Sequence, residues 1–275
     1  DAPMPSLLAL IGAYDLDAGD VIHIDTGLYN LPANIVLKAQ DAGVRIVGAG
    51  IDRTILDRGN TVSSARIFSF QGASGVTLED MTLQGSYQAI HAVSGGHADV
   101  VTLDTLRVRN NESNGATVET GNDGWTVTGS IFEANKGYGL EIRGNDAVVE
   151  NDRFANNGGH GLYTSGTHTR IAVNEAVGNG QSGFYLYSPT AGADYLTVGI
   201  HIGFKVTSIT THDLLHRVVG AIQIPTPDTS RPVRFFFDSR TLPDPTYAAP
   251  PGNRSAGDDL MPRSPSTSCP TWLAV

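Results

Sequence analysis

Six side chains recur at matched spacing and are of types that bind or process sugars: Glu119, Glu141, Arg143, Tyr163, Tyr185 and Tyr187. Glu141, Tyr163 and Tyr185 follow one another at intervals of 22, and Arg143 stands 24 after Glu119. Tyrosine rings stack on sugar faces and their hydroxyls bond sugar hydroxyls, while the guanidinium fork of an arginine grips a carboxylate through two parallel bonds. Arg143 as a carboxylate clamp, with His160 or Tyr163 as a proton carrier beside it, would suit acid–base chemistry next to a carboxyl group. The simpler alternative is a surface ion pair between Glu119 and Arg143, worth about 0–1 kcal/mol, with tyrosines that only cover a sheet. Asp123 and Asp146, each after an asparagine in similar turns, offer oxygens to Ca²⁺. His160 and His168 have no histidine, cysteine or carboxylate cluster of metal-site spacing around them, so a turn histidine that bonds backbone is the plainer reading of each.

These residues owe their spacing to a repeat. Asn111, Asn135, Asn157 and Asn179 each precede by four a glycine, Gly115, Gly139, Gly161 and Gly183, at intervals of 24, 22 and 22. Behind each glycine comes a short alternating segment, such as Leu140-Glu141-Ile142-Arg143, then a second apolar strand and another turn. Repeats of this length without helical periodicity predict a β-solenoid, one coil per repeat, in which sequence columns become spatial stripes about 4.8 Å apart. The predicted inward columns are Ile90, Ala116, Leu140, Leu162 and Phe184, then Ala92, Val118, Ile142, Thr164 and Leu186. Val127, Val149 and Ile171, with Phe132, Phe154 and Ala176, supply further walls, and Ser130, Asp152 and Asn174 form a turn column. Asparagine suits such turns because it tolerates left-handed backbone and its amide bonds neighbouring backbone.

Composition agrees with a turn-rich all-β chain. The 275 residues include 32 glycines and 9 phenylalanines, with 17% charged residues and a net charge of −10. Five aspartates and five arginines balance from Pro225 onward, so the acidic excess belongs to the residues before it. An acidic body disfavours nucleic acid and anionic membrane, and no segment reaches membrane-spanning length. One cysteine, Cys269, excludes an internal disulfide framework. Ser6 to Tyr14 predicts a short capping helix, with Leu7, Leu8, Leu10 and Ile11 over the open end of the first coil.

Three regions follow. Residues 1–66 hold the capping helix and irregular first coils, and residues 67–204 hold the regular coils, with Tyr195 to Phe204 as a further one. Residues 205–275 hold a C-terminal segment that carries ten of the fourteen prolines from about 225, where irregular or disordered chain is expected.

The segment Gly19-Asp20-Val21-Ile22-His23-Ile24-Asp25-Thr26-Gly27-Leu28-Tyr29, with Gly48-Ala49-Gly50 and Thr54-Ile55-Leu56-Asp57, resembles the first coils of right-handed parallel β-helix proteins of the pectate-lyase-like superfamily. Asn157 to Phe184, with Gly159-His160-Gly161-Leu162 and Thr164-Ser165-Gly166-Thr167-His168, is similar to coils of bacterial alginate (mannuronan) C5-epimerases. The resemblance implies a secreted or cell-surface protein with a polysaccharide partner and, for an enzyme, lyase or epimerase chemistry on a uronate, with Arg143 on the carboxylate and a tyrosine or His160 on the C5 proton. That family's Tyr-Gly-Phe-Asp-Pro-His motif falls on Asn114-Gly115-Ala116-Thr117-Val118-Glu119, and a further family aspartate falls on Arg143. The acid–base set and the family's Gly-Gly-x-Gly-x-Asp calcium repeats are therefore absent. Two readings stand: a polysaccharide-binding or polysaccharide-processing β-helix, and a non-catalytic structural or adhesin segment of a larger surface protein.

Overall fold

The computed structural model describes residues 6–187 with their side chains and, beyond them, the backbone of four short strands, Thr197–His201, Ile209–His212, Ala221–Gln223 and Leu273–Ala274. The rest of the proline-rich segment expected to be irregular lies outside the described residues.

Each coil contributes three short strands, and equivalent strands of successive coils pair in parallel to make three walls. The first wall runs from Val21–His23 through Arg45–Val47, Thr77–Glu79, Thr102–Asp104, Thr126–Thr128 and Val148–Glu150 to Arg170–Val177. The second begins at Gly27–Asn30 and ends on that same long strand, which runs through the corner and joins the two walls into one sheet. The third comprises Ile35–Lys38, Arg66–Gln71, Gln88–Ala92, Ala116–Val118, Leu140–Ile142, Leu162–Thr164 and Phe184–Tyr187, then the backbone of Ile209–His212. The irregular spacing of residues 1–66 lies in loop lengths, because their strands pair in register with the coils that follow.

Register places like residues over like. Ile90, Ala116, Leu140, Leu162 and Phe184 stack inside the third wall beside Ala92, Val118, Ile142, Thr164 and Leu186. Val127, Val149 and Ile171 line the first wall, and Phe132, Phe154 and Ala176 the second. All of these side chains are buried. Phe132 and Phe154 stack at 5.4 Å, and Trp125 packs edge-on against Phe70 while its indole N–H donates to the Ala98 carbonyl at 2.7 Å. Burial of one such side chain contributes about 1.5–3 kcal/mol.

The Asn-to-Gly repeat has a steric and a polar cause. A Cβ at Gly115, Gly139 or Gly161 would lie 2.5–2.6 Å from the carbonyl of the next coil's glycine, so only glycine lets the coils close to sheet distance. The asparagines line the buried corner beside it. Each Nδ2 donates to the next coil's Oδ1, at 2.9 Å from Asn111 to Asn135, 3.0 Å from Asn135 to Asn157 and 2.9 Å from Asn157 to Asn179. Asn135, Asn157 and Asn179 also donate to the carbonyls of Val108, Phe132 and Phe154. Ser130, Asp152 and Asn174 form a second buried corner, where the Ser130 N–H donates to Asp152 Oδ1 at 2.7 Å and the Asp152 N–H to Asn174 Oδ1 at 2.8 Å.

The helix Leu7–Ala13 falls within the span expected for it: the Ser6 hydroxyl accepts from the Ala9 N–H, and Tyr14 ends the helix. Leu7 is buried, and Leu8, Leu10 and Ile11 pack against the core.

Candidate functional site

Outward positions of the third wall carry the chemistry, because alternation along each strand turns every second side chain away from the core. Register aligns Ser69, His91, Thr117, Glu141, Tyr163 and Tyr185 in one outward column. Two environments divide this stripe.

The first is an ion-paired cluster. Arg143 donates from Nε to Glu141 Oε1 at 2.9 Å and from Nη2 to the same oxygen at 2.6 Å, while its Nη1 meets Glu119 Oε2 at 2.9 Å. Glu141 is nearly enclosed, at 7% side-chain exposure, and its Oε2 accepts from Asn114 Nδ2 at 2.8 Å. Asn114 and Gln88 also donate to the Thr117 hydroxyl. Burial pushes the Glu141 carboxyl above the ordinary carboxylate range, against the pull of Arg143. For Arg143 burial works downward, but Glu141 and Glu119 outweigh it and hold the guanidinium above its ordinary value. Burial and the Arg66 guanidinium lower the nearby His91.

The second environment is aromatic. Tyr138, Tyr163 and Tyr185 stack along the solenoid axis, with centroids 5.7 and 5.4 Å apart and rings within 12° of parallel. His160 lies 4.9 Å from Tyr138 and 4.5 Å from Tyr185, closing a four-ring group. Its Nδ1 accepts the Ser182 N–H at 3.1 Å, which assigns the ring proton of the neutral imidazole to Nε2. Burial lowers the His160 pKa and raises the phenols of Tyr138 and Tyr163. Beside these rings opens a shallow hollow of about 600 Å³, lined also by Gln181, Ser182 and Tyr187.

The structure thus gathers Glu119, Glu141 and Arg143 at one end and His160, Tyr163, Tyr185 and Tyr187 at the other. The expected mode of contact changes, however. The faces of Tyr163 meet Tyr138 and Tyr185, so what this ring turns outward is its edge and hydroxyl. Arg143, read from sequence as a clamp for a substrate carboxylate, already spends its fork on two glutamates. Tyr138 and Asn114 escaped the sequence reading as site members. The signal for Tyr138 was its place 22 residues before His160, in the same turn column.

In the structure the Asp123 and Asp146 side chains contact protein groups. The Asp123 Oδ1 accepts the Asn145 N–H at 2.7 Å as part of a turn ladder, and Asp146 lies 3.2 Å from His168 Nδ1. Among the described residues no three histidine, cysteine or carboxylate side chains are grouped to hold a metal ion. No helix among them is long and apolar enough to cross a membrane.

The family described as right handed beta helix region matches residues 66–194. The fold is a right-handed parallel β-helix. Among solved structures, the β-helix resembles ORF18 of Geobacillus virus E2 at 13% identity, over 74% of this chain and 53% of that one, with a TM-score of 0.37. This chain therefore spans about half the length of the viral protein. It is also similar to a mannuronan C-5 epimerase A-module from Azotobacter vinelandii, at 15% identity over 70% and 77% of the two chains, TM-score 0.41. A pectin methylesterase from Yersinia enterocolitica aligns at 14% identity over 72% and 80%, TM-score 0.39. At such identities the likeness is one of fold. No curated protein matches the chain in sequence.

Proposed function

We propose that this β-helix binds a polysaccharide, outside the cell or at its surface, along the outward face of its third wall. The observation that carries the reading is the hollow itself: four stacked rings present edges and polar groups beside Gln181, Ser182 and Tyr187, a mixture suited to ring edges and hydroxyls of a sugar. Because the rings brace one another, the surface is already ordered before a ligand arrives, which lowers the entropic cost of binding.

The ligand on this reading is neutral in charge. Two carboxylates face one guanidinium in the adjoining cluster, so a uronate would displace an ion pair already made and meet Glu119 as it did so. The reading supplies no catalytic step: its polar groups hold and orient a sugar chain. The alternative, a structural segment in which the stripe only covers the sheet, predicts no affinity at all.

Calorimetric titration of the whole chain with neutral and uronate-containing oligosaccharides of equal length tests both. The proposal expects saturable binding of a neutral glycan and weaker or no binding of the uronate. Tighter binding of the uronate would reverse the charge argument, and the absence of binding across the panel would favour the structural alternative.

A further inference from the structure

The corner formed by Ser130, Asp152 and Asn174 follows the backbone pattern of the asparagine corner with other side chains at two of its three positions. In the asparagine column each member offers Oδ1 to the coil before it, and Asn135, Asn157 and Asn179 also donate Nδ2 to a backbone carbonyl. Asn157 donates to Phe132 and Asn179 to Phe154, each 25 residues back. Asn174 does the same to Val149, also 25 residues back. Asp152 keeps the first half of the pattern, for its Oδ1 accepts the Ser130 N–H. Its Oδ2 stands where an asparagine would carry Nδ2. That oxygen is buried without a hydrogen-bond partner, in a residue only 2% exposed. The equivalent carbonyl, 25 residues back, belongs to Val127.

We infer that Asp152 carries a proton on Oδ2 in the folded protein and donates it to the Val127 carbonyl, so that a neutral carboxyl takes the place of an asparagine amide and makes the corner sensitive to pH. An ionised carboxylate there would set one oxygen against another with no donor between them, whereas the acid completes the pattern of its neighbours. The surrounding charges favour the same form. Glu150 lies two residues before Asp152, and Asp104 belongs to the same column of the first wall through Thr128. Arg170 is already engaged by Glu150. Burial, with the nearby Glu150 and Asp104 charges, pushes the Asp152 carboxyl up to about 8, against the opposing bonds from the Ser130 and Glu150 backbone.

The sign of the effect follows from linkage. An unfolded aspartate loses its proton near pH 3.9, while the folded one keeps it to about 8. Between these values the folded state holds the extra proton, so stability is fully present at the acid end and falls as the pH rises, levelling off above the folded value. The sequence carries its own control in Asn174, because Asp152→Asn restores the amide with almost no change of shape.

The experiment compares denaturation midpoints of the full chain and of Asp152→Asn from pH 4.5 to 9. The parent should lose midpoint relative to the variant as the pH rises, with the gap opening up to about pH 8 and then holding constant. The infrared spectrum of the parent at pH 7 should also show a protonated carboxyl stretch that the variant lacks, which keeps the test independent of how the variant folds. Parallel midpoint curves, or a parent spectrum without that band, would overturn the proposal.

Discussion

Two polar stripes run the length of the same coils and behave in opposite ways. In the buried asparagine corner every coil repeats one residue and one set of bonds, from Asn111 to Asn179. On the outward third wall the same backbone repeat carries Thr117, Glu141, Tyr163 and Tyr185, no two adjoining coils alike until the tyrosines. Repetition in the first stripe marks an interior that must satisfy the same backbone groups at every turn. Departure from repetition in the second marks a surface released from that demand and free to vary for recognition. The Asp152 corner lies between them, a buried ladder of three different residues, Ser130, Asp152 and Asn174.

The sharpest way to break this comparison is to remove one member of each stripe. Asn157→Ala strands the Asn135 backbone N–H and takes one bond each from the Asn135 amide, which keeps Val108, and from the Phe132 carbonyl. With about 1–3 kcal/mol for the unsatisfied group and the further bonds lost beside it, a loss of about 3–5 kcal/mol is expected in chemical denaturation. Arg143→Ala, on the outer stripe, should cost less, about 1–3 kcal/mol, because the guanidinium itself is 42% exposed while the enclosed Glu141 carboxyl it leaves keeps only Asn114. Equal losses in the two variants would abolish the distinction.

Beneath the stripes, Leu162→Ala opens a cavity between Leu140 and Phe184 that stacked coils cannot easily fill, and should destabilise by about 2–5 kcal/mol. An unchanged midpoint would contradict the inward column. For binding, Tyr185→Ala removes one ring of the stack and should weaken a neutral glycan by about 1 kcal/mol, read by calorimetry, with little change in fold. Retained affinity would move the site elsewhere on the molecule.

A gain is expected at the corner of the long strand Arg170–Val177. Val173 is a β-branched residue at φ 55, exposed, where the preceding coil has Asn151 at φ 61. Val173→Asn should raise stability by about 1 kcal/mol, since the left-handed conformation costs valine what asparagine largely escapes. A fall in melting temperature would show that the valine side chain makes a contact of greater worth.

The smallest effect concerns His160. Burial depresses its folded pKa below the ordinary value near 6.5, and the Ser182 N–H needs Nδ1 unprotonated. Above that ordinary value the group is neutral in both states. As the pH falls through it the unfolded chain takes the proton first, so stability declines until the lower folded value is passed. Relative to His160→Gln, the parent should therefore lose stability in mildly acid solution, and a flat difference between the two would remove the histidine from the argument.

The sequence by itself determined the coils, their register and the inward columns, because a repeat of 22 to 24 residues with alternating apolar positions admits one way to bury them all. It also determined the capping helix, through Ser6 and the leucines that follow. Three things waited for the tertiary structure. The glycine repeat reads as turn chemistry in one dimension, yet its cause is the carbonyl of the next coil, a contact between residues 24 or 22 apart. Arg143 reads as a free fork, but the side-chain geometry spends it on Glu119 and Glu141. His160 looks solitary in its column, whereas rings from adjoining columns lean together across the sheet, with Tyr138 reaching Tyr163 and His160 reaching Tyr185. Column position follows from backbone period alone; which side chains meet across columns depends on rotamers and packing, and those are fixed only when the coils are stacked.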